Sequence, residues 1–347
     1  MKVLIADSQH KDMWNRYVLS NSKATLYHLF EWKNLIKEVY GHDSIYLMAL
    51  DKKKKILGIL PIIFMRSPLP VLLPKKLVSL PFFDMAGVIS NSSDVAYKLL
   101  NKAISIAKHL GSSIELRQIY PIYEIVKNDF LSRLKPICNR VSMVIKLPDS
   151  PEELMASFKS KLRSQIKRPL KEGMYAVVGG EELVEDFYSV FSINMRDLGS
   201  PVHSKKMIKA LFKYFPDRTK VFVVYYKNIP VASSIAIGFK DRLENPWASS
   251  LKKYKRFAPN MLLYWKMLEY GCENGFKYFN FGRSKIGSGT FRFKKQWGSK
   301  AYPLYWYVTD GDNNEKEKFS SFIKMWQRLP LSIANFLGPL IRRYISL

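Results

Sequence analysis

The sequence predicts an α+β protein of two similar domains, each a mixed, mostly antiparallel sheet flanked by helices. Its 347 residues are too many for one ordinary core, so two domains of about 150 residues are expected. Hydrophobic residues make up 47% of the chain, which is enough for two cores. The third observation is that one order of helices and strands occurs in both halves, without obvious sequence identity.

In the first half, apolar periodicity predicts two helices within residues 11–40 and a third over Ser92–Leu110, which ends at Gly111. Apolar and alternating runs predict strands over Ser44–Asp51, Ile56–Met65, Ile114–Leu116 and Val141–Leu147.

The second half repeats this order. Helices are predicted over residues 152–168, 181–215 and Pro259–Asn274. Strands are predicted over Tyr175–Val178, Lys220–Tyr226, Val231–Phe239 and Trp247–Ser250. Helices, three antiparallel strands, a helix, a strand and a final strand form the order of the GNAT acyltransferase fold. In that fold two parallel central strands splay apart and expose backbone groups that can receive an acyl chain.

We therefore expect an N-terminal GNAT-like domain over residues 1–147 and a C-terminal GNAT-like domain over residues 148–310 that carries the main site. An amphipathic, basic tail follows over residues 311–347. Its apolar residues recur at helical spacing opposite lysines and arginines. Such a tail either packs on its domain or binds a membrane surface.

The charge is strongly basic, with 56 Lys and Arg against 29 Asp and Glu and a net charge of +27. This excess predicts an anionic partner. Three partners fit: the phosphates of a transfer RNA, the diphosphate of a nucleotide-sugar or lipid-linked precursor, and the anionic inner face of a membrane. Charge does not choose among them, and simple solubility is the alternative.

The cysteines and histidines indicate no disulfide framework and no metal site. Cys138 and Cys272 are isolated, and the five histidines lack metal-ligand spacing. Met1–Asp7 lacks the plan of a signal peptide, and no apolar run approaches a spanning helix. We expect a cytoplasmic protein, peripheral on the inner membrane face, with no tightly bound cofactor.

The stretch Lys277–Trp306 concentrates a strand, a glycine turn, a cationic helix and a second strand. The strand is predicted over Lys277–Phe281 and is ended by Gly282 and the turn Gly287–Gly289. A helix capped by its first residue is expected over Thr290–Trp297, with its N–H groups facing any anion above the turn. Five cations crowd this region and repel one another unless a negative partner binds, although a solvated basic hairpin is the alternative: Arg283, Lys285, Arg292, Lys294 and Lys295.

Several motifs carry a family resemblance. Phe279–Ser284, Gly287–Thr290 and Phe293–Gly298 resemble the C-terminal signature of FemAB-like proteins, the Fem-type aminoacyl or peptidyl transferases. The branch found beside exosortase/PEP-CTERM and exopolysaccharide systems is the most similar. Further matching segments are Lys161–Arg168, Lys171–Gly173, Arg196–Gly199, Pro259–Trp265 and, more weakly, Tyr27-His28, Trp32, Tyr40–His42, Leu60-Pro61 and Ser79–Phe82.

This resemblance implies two GNAT-like domains and assigns roles to residues. Lys294 matches the lysine of the FKxxxG pattern, which in FemAB-like enzymes stabilises developing negative charge, and neighbouring Lys295 is the second catalytic candidate. The segment with Arg163, Lys167 and Arg168 corresponds to the one that contributes to acceptor phosphate binding. Arg163 and Lys167 are four residues apart and share a helix face, although a plain solvated basic face is the alternative. The remaining expected binding residues are Asn260, Arg283, Ser284, Gly287, Gly289, Arg292 and Trp297.

Other candidates have less support. Trp247, Trp265, Trp297 and Trp306 could stack on a sugar or a base, although core positions are the more frequent use of tryptophan. Asp197 and Glu115 are possible bases, but nothing in the sequence pairs either with a partner.

Three functions remain open. The leading hypothesis is a FemAB-like transferase that forms an amide bond on a cell-envelope or exopolysaccharide precursor with aminoacyl-tRNA as donor. A GNAT-type N-acyltransferase that uses acyl-CoA is the first alternative, and Ser284–Gly289 is compared with its pyrophosphate loop. The second alternative is a non-enzymatic accessory protein that binds membrane or RNA. No Ser-His-Asp arrangement or P-loop is present to indicate covalent catalysis or ATP use.

Overall fold

A computed structural model describes residues 1–66, 75–122, 135–137, 139–309 and 315–346. The chain falls into two compact units. The first comprises Met1–Arg140, Pro303–Asn313 and Arg343–Leu347, and the second comprises Val141–Tyr302 and Asn314–Arg342. Cys138 lies outside the described residues.

The first unit has helices on two sheets. Its helices are α1 (Lys11–Ser20), α2 (Glu31–Tyr40) and α3 (Ser93–His109). Its strands are β1 (Lys2–Ile5), β2 (Asp43–Ser44), β3 (Leu47–Leu50), β4 (Ile56–Leu60), β5 (Ile63–Met65), β6 (Lys76–Val78), β7 (Ile89–Ser90), β8 (Ser113–Gln118), β9 (Lys135–Ile137) and β17 (Tyr305–Val308). One sheet is antiparallel in the order β1-β3-β4-β7. The other is mixed, in the order β2-β5-β6-β8-β17-β9, and contains the parallel pair β6 and β8.

The second unit is built on one larger sheet. Its helices are α4 (Pro151–Ser157), α5 (Ser160–Lys171), α6 (Val184–Asp197), α7 (Lys205–Tyr214), α8 (Pro259–Glu273), α9 (Gly289–Lys295), α10 (Glu315–Gln327) and α11 (Leu331–Arg342). Its strands are β10 (Arg140–Lys146), β11 (Met174–Gly179), β12 (Thr219–Tyr226), β13 (Ile229–Phe239), β14 (Arg242–Ser250), β15 (Tyr278–Lys285) and β16 (Lys300–Pro303). The seven strands follow the order β11-β12-β13-β14-β15-β10-β16, in which β14 and β15 are parallel.

Helix α8 shows how the sequence positions the second core. Pro259 opens it, where a missing N–H does no harm, and its apolar residues are buried on nearly every side. Leu262, Trp265 and Leu268 join Phe279 and Phe281 of β15 in one core cluster. This packing fixes the helix against the sheet beside the parallel pair.

The strand predicted over Val141–Leu147 belongs to the seven-stranded sheet of the second unit, because β10 lies between β15 and β16. The sequence placed it in the first domain, since sequence order alone cannot assign sheet partners. The tail predicted over residues 311–347 is divided between the two units. Helices α10 and α11 belong to the second unit, and Arg343–Leu347 belongs to the first.

The prediction of one helix over residues 152–168 was wrong in its bounds. It is two helices, α4 and α5, because Phe158 adopts an extended conformation at ψ 146°. Helix α5 continues past Pro169 to Lys171, since a proline in the last turn removes only one hydrogen bond. The predicted helix over 181–215 is also two helices, α6 and α7.

Within the described part of the chain, no helix combines the length and apolar character needed to cross a bilayer.

Candidate functional site

The parallel strands β14 and β15 part after a short paired stretch. Arg242–Glu244 pairs with Tyr278–Asn280, and the register ends there although β14 continues to Ser250 and β15 to Lys285. The unpaired ends are the carboxyl ends, where α8 also begins, because α8 connects β14 back to the start of β15. This opening is the splayed edge that the fold class predicts.

Asn280 organises the backbone at the point of parting. Its side-chain amide donates to Glu244 Oε2 at 2.8 Å, and its Oδ1 accepts from Ser142 Oγ at 2.9 Å. The same Oδ1 accepts from the N–H of Gly282 at 2.9 Å. Asn280, Glu244 and Ser142 are all buried. The network therefore holds the turn of β15 at Gly282 in place.

Gly282 lies inside β15 rather than at its end, which corrects the predicted strand bounds. Its φ of +76° is in the left-handed region that favours glycine. A Cβ built there would lie 3.2 Å from the carbonyl oxygen of Asn245 and 3.9 Å from Lys294 Nζ. Because Gly282 has no side chain, the carbonyl oxygen of Asn245 and Nζ of Lys294 can both lie close to its backbone.

Lys294 brings a cation into this opening. Its Nζ donates to the carbonyl oxygens of Gly282 at 3.1 Å and Arg283 at 2.8 Å, and the residue is only 8% exposed. Ser299 Oγ in turn donates to the Lys294 carbonyl oxygen at 2.9 Å. An ammonium group held by main-chain carbonyls in a buried site interacts more strongly with a developing anion than one in water.

Helix α9 and an aromatic cluster position Lys294. Ser288, not the predicted Thr290, caps the helix by accepting from the N–H of Phe291 at 3.2 Å. The cap differs because α9 begins one residue earlier, at Gly289. Phe293 on the same helix packs 5.1 Å from the ring of Tyr264 and 6.3 Å from that of Trp297. Burial of Tyr264 in this cluster raises its pKa well above the ordinary value.

Two buried polar atoms beside the opening have no hydrogen-bond partner among the residues that the structure describes. They are Ser284 Oγ on β15 and Asn245 Oδ1 on β14. The Asn245 amide group donates to the carbonyl oxygens of Ile235 at 2.8 Å and Trp247 at 3.2 Å, which fixes its orientation. Buried polar atoms that lack partners are uncommon, and at a functional site they favour a missing ligand.

A basic segment precedes α8 at the same edge. Lys252–Phe257 leads through Ala258, at φ +57°, into the first turn with Asn260. The N-terminus of this 15-residue helix carries the positive end of the helix dipole. By contrast, the loop Ile286–Ser288 follows β15 and leads only into the short α9.

A second concave region lies on α4, α5 and the end of α9. Its volume is about 860 Å³, and its lining combines apolar side chains with lysines. The lining lysines are Lys146, Lys159, Lys161 and Lys295. Trp297, fully buried, also contributes, and its Nε1 has no partner among the described residues.

The predicted acceptor-binding cations do not converge. Arg163 of α5 bonds to the main chain at the end of α4, because its Nη1 donates to the carbonyl oxygens of Ala156 at 3.3 Å and Phe158 at 3.0 Å. Lys167 and Arg168 are exposed on α5 and do not line the concave region. The spacing of four residues predicted that Arg163 and Lys167 share a helix face that binds the acceptor. In the structure Arg163 bonds to main-chain carbonyl oxygens at the break between the two helices.

The remaining predicted residues divide into three groups. Ser284 is buried, and Arg283 and Asn260 are partly buried at the opening. Gly287, Gly289 and Arg292 are exposed around the turn before α9, with Gly287 at φ +77°. Trp297 is core, as is Trp265, whereas Trp306 belongs to β17 of the first unit.

Neither candidate base lies at the opening. Asp197 pairs with Arg196 at 2.9 Å. Glu115 belongs to the first unit and pairs with Arg117 at 2.6 Å. Burial favours the neutral form of Glu115, but the charge of Arg117 outweighs it and holds the pKa of Glu115 below its ordinary value. These two carboxylates therefore have structural partners.

Sequence reasoning missed Glu244, Asn245 and Ser142. Glu244 and Asn245 lie in a polar stretch, Lys240–Asn245, in which only Leu243 is apolar, and the predicted strand began after them at Trp247. Ser142 had no signal, because only the sheet order brings β10 beside β15.

Comparisons with known proteins agree with this architecture. Residues 156–295 match the family model described as an acetyltransferase (GNAT) domain. The crystal structure of FemX superposes with a TM-score of 0.67 at 15% identity, covering 88% of this chain and 97% of that one. No curated protein matches the sequence.

Two further solved structures are similar. L-PGS from Bacillus licheniformis has a TM-score of 0.52 at 14% identity, covering 86% of this chain and 95% of that one. A tandem GNAT protein from the clavulanic acid biosynthesis pathway has a TM-score of 0.52 at 7% identity, covering 90% and 99%. The predicted fold class, tandem GNAT-like domains with mixed sheets and flanking helices, is confirmed. The exosortase-associated branch stays a prediction.

Proposed function

We propose that the second unit is an acyltransferase that forms an amide bond by moving an aminoacyl group onto an amine of a cell-envelope or exopolysaccharide precursor. The observation that carries this proposal is Lys294, whose buried ammonium is held at the opening between β14 and β15 by two main-chain carbonyl oxygens. Position and charge both suit the tetrahedral oxyanion of acyl transfer.

The chemistry requires little else from the protein. A neutral amine attacks the ester or thioester carbonyl carbon, and the carbonyl electron pair moves to oxygen near Lys294. Collapse of this intermediate breaks the bond to the donor's alkoxide or thiolate, and the attacking nitrogen gives one proton, directly or through water, to that leaving group, which departs as the alcohol or thiol. Alignment of donor and acceptor supplies the rest of the rate enhancement. No covalent enzyme intermediate is involved.

The donor we favour is aminoacyl-tRNA. Its support is the likeness to FemX over nearly the whole of both chains and the net charge of +27. Acceptors that suit the lysine-lined region beside Trp297 are a nucleotide-linked or lipid-linked sugar with a diphosphate.

The alternative is a GNAT-type N-acyltransferase with acyl-CoA as donor. It is favoured by the basic segment Lys252–Phe257 in front of the α8 N-terminus, which suits a diphosphate, and by the match to the acetyltransferase domain.

Ligand-induced stabilisation separates the two donors. We would measure the thermal unfolding of the purified protein with charged tRNA, UDP-linked muropeptide, acetyl-CoA and longer acyl-CoAs, at two salt concentrations. Stabilisation by charged tRNA that weakens at high salt supports the leading proposal. Stabilisation by acyl-CoA alone replaces it with the alternative.

Lys294→Met tests the catalytic assignment. Loss of the ammonium is expected to lower kcat by about 10²- to 10³-fold. Lys300→Met is the matched control, because Lys300 is exposed on β16 and does not line the concave region, so its kcat should be unchanged. Equal effects of the two variants, or full activity of Lys294→Met, would contradict the role of Lys294.

A further inference from the structure

Helix α11 has apolar residues on two opposite sides. One side is buried and contains Ala334, Gly338 and Arg342. At Gly338 the approach is close, since a Cβ built there would lie 3.0 Å from Val202. Arg342 completes this side by donating from Nε to His203 Nε2 at 3.1 Å. This contact side accounts for only half of the helix.

The opposite side of α11 exposes large apolar side chains. Ile333, Phe336 and Leu340 are 44%, 73% and 50% exposed. At about 100° per residue they fall within about 60° of one another, on the side facing away from Ala334 and Gly338. We call these three residues the C-terminal ridge.

The charge around the ridge has one sign. From Lys318 to the last residue the sequence contains no Asp or Glu. Over the same stretch it contains Lys318, Lys324, Arg328, Arg342 and Arg343. Lys324 and Arg328 are exposed on or just after α10. From Lys318 onward the chain therefore combines the protruding apolar groups of α11 with basic residues as its only charged side chains.

We propose that the C-terminal ridge binds the surface of an anionic lipid bilayer, with Phe336 and Leu340 inserted among the acyl chains. A helix with an apolar side and a basic border is suited to the bilayer interface. Its 12 residues span only about 18 Å, so it lies on the bilayer rather than crossing it. A second copy of this chain is disfavoured as occupant, because two copies of a chain with a net charge of +27 repel each other.

The inference concerns binding alone, so it stands or falls separately from the proposed activity. Where both hold, the ridge would keep the enzyme at the surface on which a lipid-linked acceptor is found.

Vesicle co-sedimentation tests the proposal. The full chain is incubated with vesicles of phosphatidylcholine alone, or with about one third phosphatidylglycerol, at about 0.1 M and about 0.5 M salt. We expect binding to the anionic vesicles that weakens at the higher salt. Phe336→Ser with Leu340→Ser should lower the bound-to-free ratio by at least about tenfold. Lys324→Ser with Arg328→Ser should lower it by about tenfold and flatten the lipid dependence.

The control is Leu19→Ser with Ile229→Ser, two side chains that are 47% and 49% exposed elsewhere. It should bind vesicles as the wild type does. All variants should keep the wild-type unfolding temperature, since the replaced groups are exposed. Failure of the wild type to bind anionic vesicles, or undiminished binding by the ridge variant, overturns the proposal. A wild-type dimer in size-exclusion chromatography that the ridge variant abolishes would assign the ridge to a second copy and also overturn it.

Discussion

Each unit buries a cation just past a short parallel strand pair, but the two cations are held differently. In the first unit β6 pairs with β8 over Lys76–Val78, and Arg117 follows on β8. The Arg117 guanidinium contacts Glu115 Oε1 at 2.6 Å and donates to the Phe83 carbonyl oxygen. In the second unit the cation is Lys294, held by main-chain carbonyls of β15.

The chain around the two openings also differs. In the first unit the segment 79–86 lies against the strand end, since Ser79 N–H donates to the Glu115 carbonyl oxygen and Ala86 N–H to that of Arg117. In the second unit the neighbouring groups are Gly282 and Ser284, whose Oγ has no hydrogen-bond partner in the described part of the chain. A carboxylate neutralises a buried cation, whereas carbonyl dipoles orient it and preserve its charge. The difference favours the second unit as the site of chemistry.

A third buried cation completes the comparison. Arg342 on α11 is bonded to the neutral imidazole of His203, a contact that depends on the protonation state of its acceptor. Carboxylate, imidazole and carbonyl partners thus predict three different responses to mutation and pH.

Glu115→Gln should have the largest effect on stability. It leaves the charge of fully buried Arg117 uncompensated, so we expect the free energy of unfolding to fall by about 3 kcal/mol. Urea unfolding measures it. Addition of Arg117→Met should recover part of the loss, and the folded single variant should keep its transferase activity. If Glu115→Gln left the free energy of unfolding unchanged, the stability of the first unit would not depend on this ion pair.

Acid should weaken the second unit through His203. Burial, and then the charge of Arg342, hold the pKa of His203 well below 6.5. Below about pH 6.5 the unfolded chain binds this proton and the folded chain does not, so stability falls by up to about 1.4 kcal/mol per pH unit.

The measurement is the free energy of unfolding from pH 7 to 5, above the range in which Glu115 titrates. His42 in the first unit, whose pKa burial also lowers, contributes with the same sign. The His203→Gln variant isolates the His203 share by difference. An unchanged slope in that variant would contradict the assignment.

Gly282→Ala should destabilise the protein by about 1–2 kcal/mol and lower activity, because the new Cβ crowds the Asn245 carbonyl oxygen and shifts the carbonyls that hold Lys294. Gly275→Ala is the matched control. Gly275 has φ +73°, nearly the same as Gly282, but no atom within 4 Å of the built Cβ. Its variant should show only the conformational strain, with full activity. Indistinguishable variants would argue against the close approach at the opening.

Ser288→Ala should have the smallest effect, about 1 kcal/mol, through loss of the α9 cap. Ser204→Ala removes the equivalent cap of α7, where Ser204 Oγ accepts from Met207 N–H. Thermal unfolding should show similar losses for both variants. Activity should fall only for Ser288→Ala, since α9 alone carries Lys294. Equal losses of activity in the two variants would mean that the α9 cap has no specific role in positioning Lys294.

Local pattern predicted much of the fold and part of the site. Periodicity located α3 and α8. The density of cations near Gly287 marked the region, within which the resemblance to the FKxxxG pattern singled out Lys294. Bounds were less predictable, because tertiary contacts decide them. The break at Phe158 depends on Arg163 bonding back to the end of α4, a contact that helical spacing does not reveal.

The sequence by itself determined the element order, the two-unit α+β class and the basic charge, since these follow from periodicity and composition. Only the tertiary structure decided which polar groups meet. Sheet order places Ser142 beside Asn280, and the left-handed turn at Gly282 brings Lys294 to two carbonyl oxygens. The contact between Ser142 and Asn280 joins residues 138 positions apart, so it depends on strand pairing that no local pattern specifies. The contacts of Lys294 depend on the backbone conformation at Gly282.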